Sequence, residues 1–263
     1  MAEAPPVPSV GRMTQTNPPV LSIRAATKTY GSATAAVTAL DAVTLDIEAG
    51  RFTAVMGPSG SGKSTLMNLA AGLDDPTSGE VWLDHHPLHR LSDEERTVLR
   101  RTHVGFVFQA YNLVPTLTAY ENVVLPFDLA GRGLGPEDRA WVDRLMTDLG
   151  LDARRDHRPA ELSGGQQQRV AIARALGSRP RIVIADEPTG NLDTRSSREV
   201  LDLLRAAVDD YGQTIAMVSH DPVAAARADR ILLIADGRIV GDHDRCTPAE
   251  IAGLLIDLEV GAA

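Results

Sequence analysis

Residues Gly57-Pro-Ser-Gly-Ser-Gly-Lys-Ser-Thr65 fit the spacing G-x-x-x-x-G-K-[ST], with Gly57, Gly62, Lys63 and Ser64 at the defining positions and Pro58, Ser59, Gly60 and Ser61 between them. Glycines let the main chain wrap tightly, so that successive N–H groups converge on an anion. A helix beginning at Lys63 adds the positive end of its dipole. The Lys63 ammonium suits the outer phosphates of a nucleotide, and the Ser64 hydroxyl suits a magnesium ion beside them. Nucleotide binding follows. A kinase, a GTPase and a motor all remain open on this loop alone.

A second constellation lies far along the chain. Ile182-Val-Ile-Ala-Asp186 is an apolar run ending in an acid, and Glu187 follows directly. In a parallel α/β sheet the carboxyl end of a strand opens onto the ligand crevice. Asp186 is then placed to hold Mg²⁺, directly or through water. Glu187 is placed to act as general base on an attacking water. The pair favours hydrolysis over transfer to a bound acceptor.

Leu162-Ser-Gly-Gly-Gln166 runs into an amphipathic segment ending at Leu176. Ser163 reads as a helix N-cap, and Gly164 and Gly165 leave amides exposed at the helix start, which makes a second anion site. With the phosphate loop and the acid pair, this stretch resembles the ABC family over about residues 20–240. The resemblance implies an α/β fold with a P-loop NTPase core of ABC ATPase type, an antiparallel β subdomain and an inserted helical subdomain carrying the signature. It implies ATP as substrate and Mg²⁺ as cofactor.

The remaining family positions follow in order. Tyr30 looks like the aromatic that stacks on adenine, and residues Gly57 through Thr65 like the phosphate cradle. Gln109 looks like the glutamine that senses Mg²⁺ and the attacking water, joining Ser64 and Asp186 around the ion. Ser163, Gly164, Gly165 and Gln166 match the site that closes on the γ-phosphate held by a second copy, so a head-to-tail dimer is implied. Asp193 matches the loop linking the two sites, and His220 the histidine that contacts the γ-phosphate. The implied catalytic group is Glu187, His220, Gln109 and Lys63.

Pro115-Thr-Leu-Thr-Ala-Tyr-Glu-Asn-Val-Val-Leu-Pro126, the stretch His157–Arg169 and the stretch Ala185–Asp193 are similar to the MacB/LolD/FtsE subgroup. Those proteins work with membrane permeases of the FtsX type in macrolide or peptide export, lipoprotein release or cell-wall regulation at division. A separate permease chain is therefore an expected partner, with residues around Tyr111 to Glu121 as its contact. The expected location is the cytoplasmic face of the membrane.

The elements that must position these residues are legible in outline. Residues 1–18, rich in Pro with Ser, Thr and Asn, read as a flexible tail. β-like runs occupy Leu21 to Ala25, Val43 to Ile47 and Phe52 to Met56, and a helix follows from Lys63 to Ala71. A helical insertion is expected over about 92–177, opened by the capping box Ser92-Asp-Glu-Glu and containing a short strand at Val104 to Phe108. Pro115, Pro126, Pro136 and Pro159 are expected to break its helices. Buried strands resume at Arg181 to Ala185, Thr214 to Ser219 and Arg230 to Ile234. The ATPase domain is placed at 19–245, and 246–263 as a tail with a short helix over Pro248 to Leu258.

Composition agrees with one α/β domain: 263 residues, 43% hydrophobic but only 4% aromatic, so Leu, Val, Ile and Ala must build the core. A net charge of −9 disfavours capture of nucleic acid, and no DNA or RNA partner is expected. Cys246 is the sole cysteine, which leaves no internal disulfide and suits a reducing interior. There is no apolar run of roughly 18 residues to span a bilayer, and no secretory pattern at the start. Two other readings fare worse. A DNA- or ribosome-directed ATPase lacks its usual coiled-coil, zinc or duplicated modules, and a small-molecule kinase lacks an acceptor site. Lys28 and Lys63 are the only lysines among 26 basic residues.

Overall fold

The computed structural model describes residues 18–31 and 35–261; of the expected tails, residues 1–17 and 262–263 lie outside the described residues. The chain begins with β1 (Pro19–Tyr30), β2 (Val37–Glu48) and β3 (Phe52–Met56), then α1 (Lys63–Ala70). β4 (Ser78–Leu83), β5 (His86–Pro87), α2 (Asp93–His103) and β6 (Val104–Phe108) follow. Three helices come next: α3 (Ala119–Leu129), α4 (Pro136–Asp148) and α5 (Gly164–Gly177). The chain then alternates through β7 (Ile182–Asp186), α6 (Thr194–Tyr211), β8 (Ile215–Val218), α7 (Pro222–Ala225), β9 (Arg230–Ala235), β10 (Arg238–Asp244) and α8 (Pro248–Gly261).

Two sheets result. A six-stranded sheet runs β10-β9-β3-β8-β7-β6, parallel throughout except for β10, which pairs antiparallel with β9. A four-stranded antiparallel sheet runs β2-β1-β4-β5. The central strands are apolar on both faces because both faces are covered. Phe52, Ala54 and Met56 point into one core, together with Val183, Ala185 and residues of α3 to α6. Val55, Ile182 and Ile184 point into the other, against α1 and the antiparallel sheet. Period-two alternation between two cores explains the continuous hydrophobic runs.

The helical segment departs from the proline reading at one position. Pro126 sits inside α3, which continues to Leu129. Its missing N–H costs one helical hydrogen bond. The flanking Val123 and Phe127 are buried in the core, and that packing holds the turn together. Pro136 starts α4 after Gly135, and Pro159 starts a short 3₁₀ turn, so those two do act as boundaries. The capping box is present at α2: Ser92 accepts from the Glu95 amide and Glu95 returns the bond. β4, β5 and β10 are elements the sequence reading did not contain.

β6 packs beneath α5 so closely that a Cβ on Gly105 would stand 2.4 Å from the Ala175 carbonyl oxygen. That neighbour is main chain and cannot rotate away. Gly105→Ala is therefore expected to destabilise the fold by roughly 1–3 kcal/mol. Equilibrium urea unfolding checks it; an unchanged midpoint would contradict the close approach.

Candidate functional site

The phosphate loop leaves the end of β3 and enters α1. Gly57 (φ 155°) and Gly62 (φ 105°) adopt backbone conformations that side chains oppose, and each passes against main chain. A Cβ at Gly57 would lie 2.0 Å from the Ile234 oxygen, and one at Gly62 would lie 2.4 Å from the Ala39 oxygen. Only glycine fits there. α1 begins at Gly62 without a side-chain cap and with no acid in its first turn, so its amides keep their positive end uncompensated. The buried Ser61 hydroxyl oxygen has no hydrogen-bond partner among the described residues, and Ser61 does not line the cavity beside the loop. An uncapped, acid-free helix start behind a tight glycine loop fits an oxyanion.

Lys63 donates from Nζ to the Gly57 oxygen at 2.9 Å and the Pro58 oxygen at 2.7 Å. Burial lowers its pKa, while the charges of Glu187 and Asp186 oppose that shift. Asp186 shifts the other way: burial and the adjacent Glu187 raise its carboxyl above the usual range, and Lys63 resists. A cavity of about 420 Å³ gathers Lys63, Ser64, Thr65, Gln109, Asp186 and Glu187 on its walls.

The parallel register explains the gathering. Val55 pairs with Val218, Val218 with Asp186, and Asp186 with Phe108. The residues that leave those strands are Gly57, Ser219, Glu187 and Gln109. Glu187 takes a left-handed backbone (φ 45°), which costs roughly 1–2 kcal/mol for a residue with a side chain. Its amide is tied to the Val218 oxygen at 3.0 Å. Its Oε1 lies 3.0 Å from Nδ1 of His220, whose side chain is largely exposed. Gln109 lies flat over Gly190, where a Cβ would meet its Nε2 at 2.6 Å.

Other predicted residues stand apart from this cavity. Ser163 caps α5: its hydroxyl accepts from the Gln166 amide, and Gln166 Oε1 accepts from the Ser163 amide at 2.9 Å. Gly164 and Gly165 pass close to Tyr111 and Ser196, so this helix start is wedged against the turn after β6 and the start of α6. Asp193 caps α6, accepting from the amides of Arg195 and Ser196, both at 2.9 Å. Tyr30 ends β1 with its ring partly exposed and its hydroxyl donating to Asp74 Oδ2 at 2.8 Å. Burial and Asp74 raise its pKa, and the Thr65 hydroxyl on the first turn of α1 opposes them.

Sequence reasoning missed several residues that hold these. Asn191 donates to the Gln109 carbonyl oxygen at 3.0 Å and accepts from Gln109 Nε2 at 3.3 Å. Arg174 donates to the carbonyls of Tyr111 (2.9 Å) and Asn112 (2.5 Å). Asp74 and Lys28 anchor Tyr30. These links span long stretches of chain, and only the scarcity of lysine hinted at one of them.

Comparison with known proteins gives one consistent picture. Residues 40–190 match the family model for the ABC transporter. The chain is 48% identical over 224 residues to the macrolide export ATP-binding/permease protein MacB of Brucella melitensis, covering 85% of this chain and 34% of that protein. It is also 48% identical over 212 residues to the uncharacterized ABC transporter ATP-binding protein YbbA of Escherichia coli K12, covering 81% of this chain and 92% of that one. A solved dimer of the ATP-binding cassette MJ0796, in a post-hydrolysis state bound to ADP and Pi, superposes with a TM-score of 0.77 at 41% identity. That match covers 86% of this chain and 99% of the cassette. The chain thus spans about a third of the MacB relatives and nearly all of the YbbA relative.

The raised Asp186 carboxyl gives a test with a definite sign. Its ionised form is disfavoured by the fold, so ionisation costs stability above its folded pKa, and the cost vanishes below the unfolded value of about 3.9. Asp186→Asn is expected to raise the melting temperature of the ligand-free protein at neutral pH. Melting curves from acid to neutral pH should show the advantage shrinking as pH falls.

Proposed function

Because the chain belongs to the ABC transporter ATP-binding family and is an ABC ATPase domain, we propose that it binds ATP between two copies of itself and hydrolyses it to drive a membrane permease on another chain. The observation that carries the reading is the shared register, which sets Lys63, Ser64, Asp186, Glu187 and Gln109 around one cavity.

Each residue then has a role. The loop amides from Ser59 to Thr65 and the start of α1 hold the β- and γ-phosphates. Lys63 exchanges its bonds to Gly57 and Pro58 for the phosphates. Glu187 takes a proton from the attacking water as its oxygen bonds to the γ-phosphorus; the bond to the bridging oxygen breaks, leaving ADP and phosphate. His220 steadies the Glu187 carboxylate and reaches the γ-phosphate. Tyr30 stacks on the base.

Mg²⁺ suits Ser64, Asp186 and Gln109, which are hard oxygen donors, and it would neutralise charge on the phosphates.

Dimerisation is supported by the second helix start. The capping box occupies the amides of Ser163 and Gln166, but those of Gly164 and Gly165 lie between them and outside the chain's own cavity, so a nucleotide on another copy is the partner of fitting chemistry. The MJ0796 cassette is a dimer with ADP and Pi bound. Asp193, on α6 beside that helix start, lies where the two sites meet.

A permease is supported by the relatives called ATP-binding/permease proteins, while no helix among the described residues is long and apolar enough to cross a membrane. Residues Tyr111 to Glu121 form its contact in this reading. They adjoin an apolar hollow of about 310 Å³ between β6 and α3, walled by Phe106, Leu125 and the exposed Leu129 and rimmed by Arg100 and Arg101. Those arginines suit an apolar segment carrying acids. The protein then sits on the cytoplasmic face of the membrane, serving export, lipoprotein release or mechanotransmission.

Glu187→Gln should lower phosphate release by about 10²- to 10⁴-fold and accumulate an ATP-bound dimer on size exclusion. Lys63→Ala should abolish that dimer by weakening ATP binding. Undiminished turnover in Glu187→Gln would remove the proposed base. Leu129→Asp should lose co-purification with a membrane permease while the isolated protein keeps its ATPase rate.

A further inference from the structure

Lys28, one of only two lysines in the chain, sits where its charge has three partners. Its Nζ donates to Asp74 Oδ1 at 2.5 Å and to the Asp75 carbonyl at 2.7 Å, and it stands 4.9 Å from the centroid of the Tyr30 ring. The same Asp74 carboxylate receives the Tyr30 hydroxyl on its other oxygen. Lys28 and Tyr30, two residues apart on β1, therefore grip one acid with one oxygen each.

That acid is itself fixed. The Asp75 amide donates back to Asp74 Oδ1 at 2.8 Å. The neighbouring Asp75 carboxylate is bound by Arg96 of α2, which also holds Asp93. The Thr77 amide donates to the Thr27 oxygen at 2.7 Å, and the Thr29 amide donates to the Thr77 hydroxyl at 3.0 Å. The turn after α1 is thus pinned to β1 on one side and to α2 on the other. Although burial pushes the Asp74 carboxyl up, the hydrogen bonds from Lys28, Tyr30 and Asp75 more than offset it and hold it ionised.

A partly exposed tyrosine at a strand end would ordinarily lose side-chain freedom on stacking against a ligand. Here the hydroxyl is anchored at one end and a cation lies over the ring, so the freedom is already spent in the free protein. A cation over one face also polarises the ring. We propose that Lys28 and Asp74 are positioning residues that hold the Tyr30 ring in place for the purine base of the nucleotide. This rests on the reading that Tyr30 stacks on the base.

Calorimetric titration of the whole protein with ATP and, separately, with inorganic tripolyphosphate tests it, because tripolyphosphate has no base. Lys28→Met and Asp74→Asn should each weaken ATP binding roughly three- to tenfold and leave tripolyphosphate within about twofold. Lys28→Arg, which keeps the cation, should recover most of the loss. Tyr30→Ala is the control for the underlying reading: if it weakens ATP no more than tripolyphosphate, the base-stacking role fails. If Tyr30→Ala selectively weakens ATP but Lys28→Met and Asp74→Asn do not, the positioning role alone fails. Equal weakening of both ligands would mark a merely structural clamp. Tighter ATP binding by Lys28→Met would mean that the lysine covers the face the base needs. Either result overturns the proposal.

Discussion

The site depends on a ladder of parallel hydrogen bonds. Across the sheet, Val55, Val218, Asp186 and Phe108 stand in one row, so the phosphate loop, the His220 turn, Glu187 and Gln109 emerge side by side. A slip of one residue in any of these strands would invert every side chain on it. That slip is opposed from both faces, since alternate residues of β3, β7 and β8 belong to different cores. Two-sided burial therefore sets the alignment of the chemistry, although none of the core residues takes part in it. The edge strand β10, half-exposed and antiparallel, carries no such constraint and contributes no site residue.

Against this rigid base the site itself concentrates unfavourable features. Glu187 bends through a left-handed conformation immediately after a buried strand. Asp186 and Glu187 sit together beside a partly buried lysine, and burial works against the charged forms of both Asp186 and Lys63. The Ser61 hydroxyl is buried without a partner. Each of these features disfavours the folded chain as it stands. Such strain persists only where surrounding structure over-determines it, and the sheet supplies that structure.

What could be read from the sequence was local. The glycine loop, the acid pair and the Ser92 and Ser163 caps are short patterns whose physics is complete within a few residues, and the structure has all of them. Fully buried strands were legible because burial on two faces leaves an unbroken apolar run. β4, β5 and β10 alternate or are short, and their pairing is fixed by partners elsewhere, so no local pattern marked them. Pro126 was misread because the packing of Val123 and Phe127 overrides a local rule. The supports of the site were hidden most completely. Asn191 meets Gln109 across 82 residues of chain, Arg174 meets Asn112 across 62, and Tyr30 meets Asp74 across 44.

Those hidden contacts also tie separate parts of the site to one another. Gln109 is latched to Asn191 through both its amide and its carbonyl oxygen. Two residues on, Tyr111 and Asn112 turn through left-handed conformations, and Arg174 of α5 binds both carbonyls. That side chain is partly buried, and burial lowers its pKa. The Tyr111 hydroxyl, in turn, lies beside Gly164 at the start of α5, 2.9 Å from where a Cβ would stand. The charge-assisted bonds from Arg174, each worth about 1.5–3 kcal/mol, tie this turn to α5. One short turn thereby lies between Gln109 at the cavity and the helix start at Ser163.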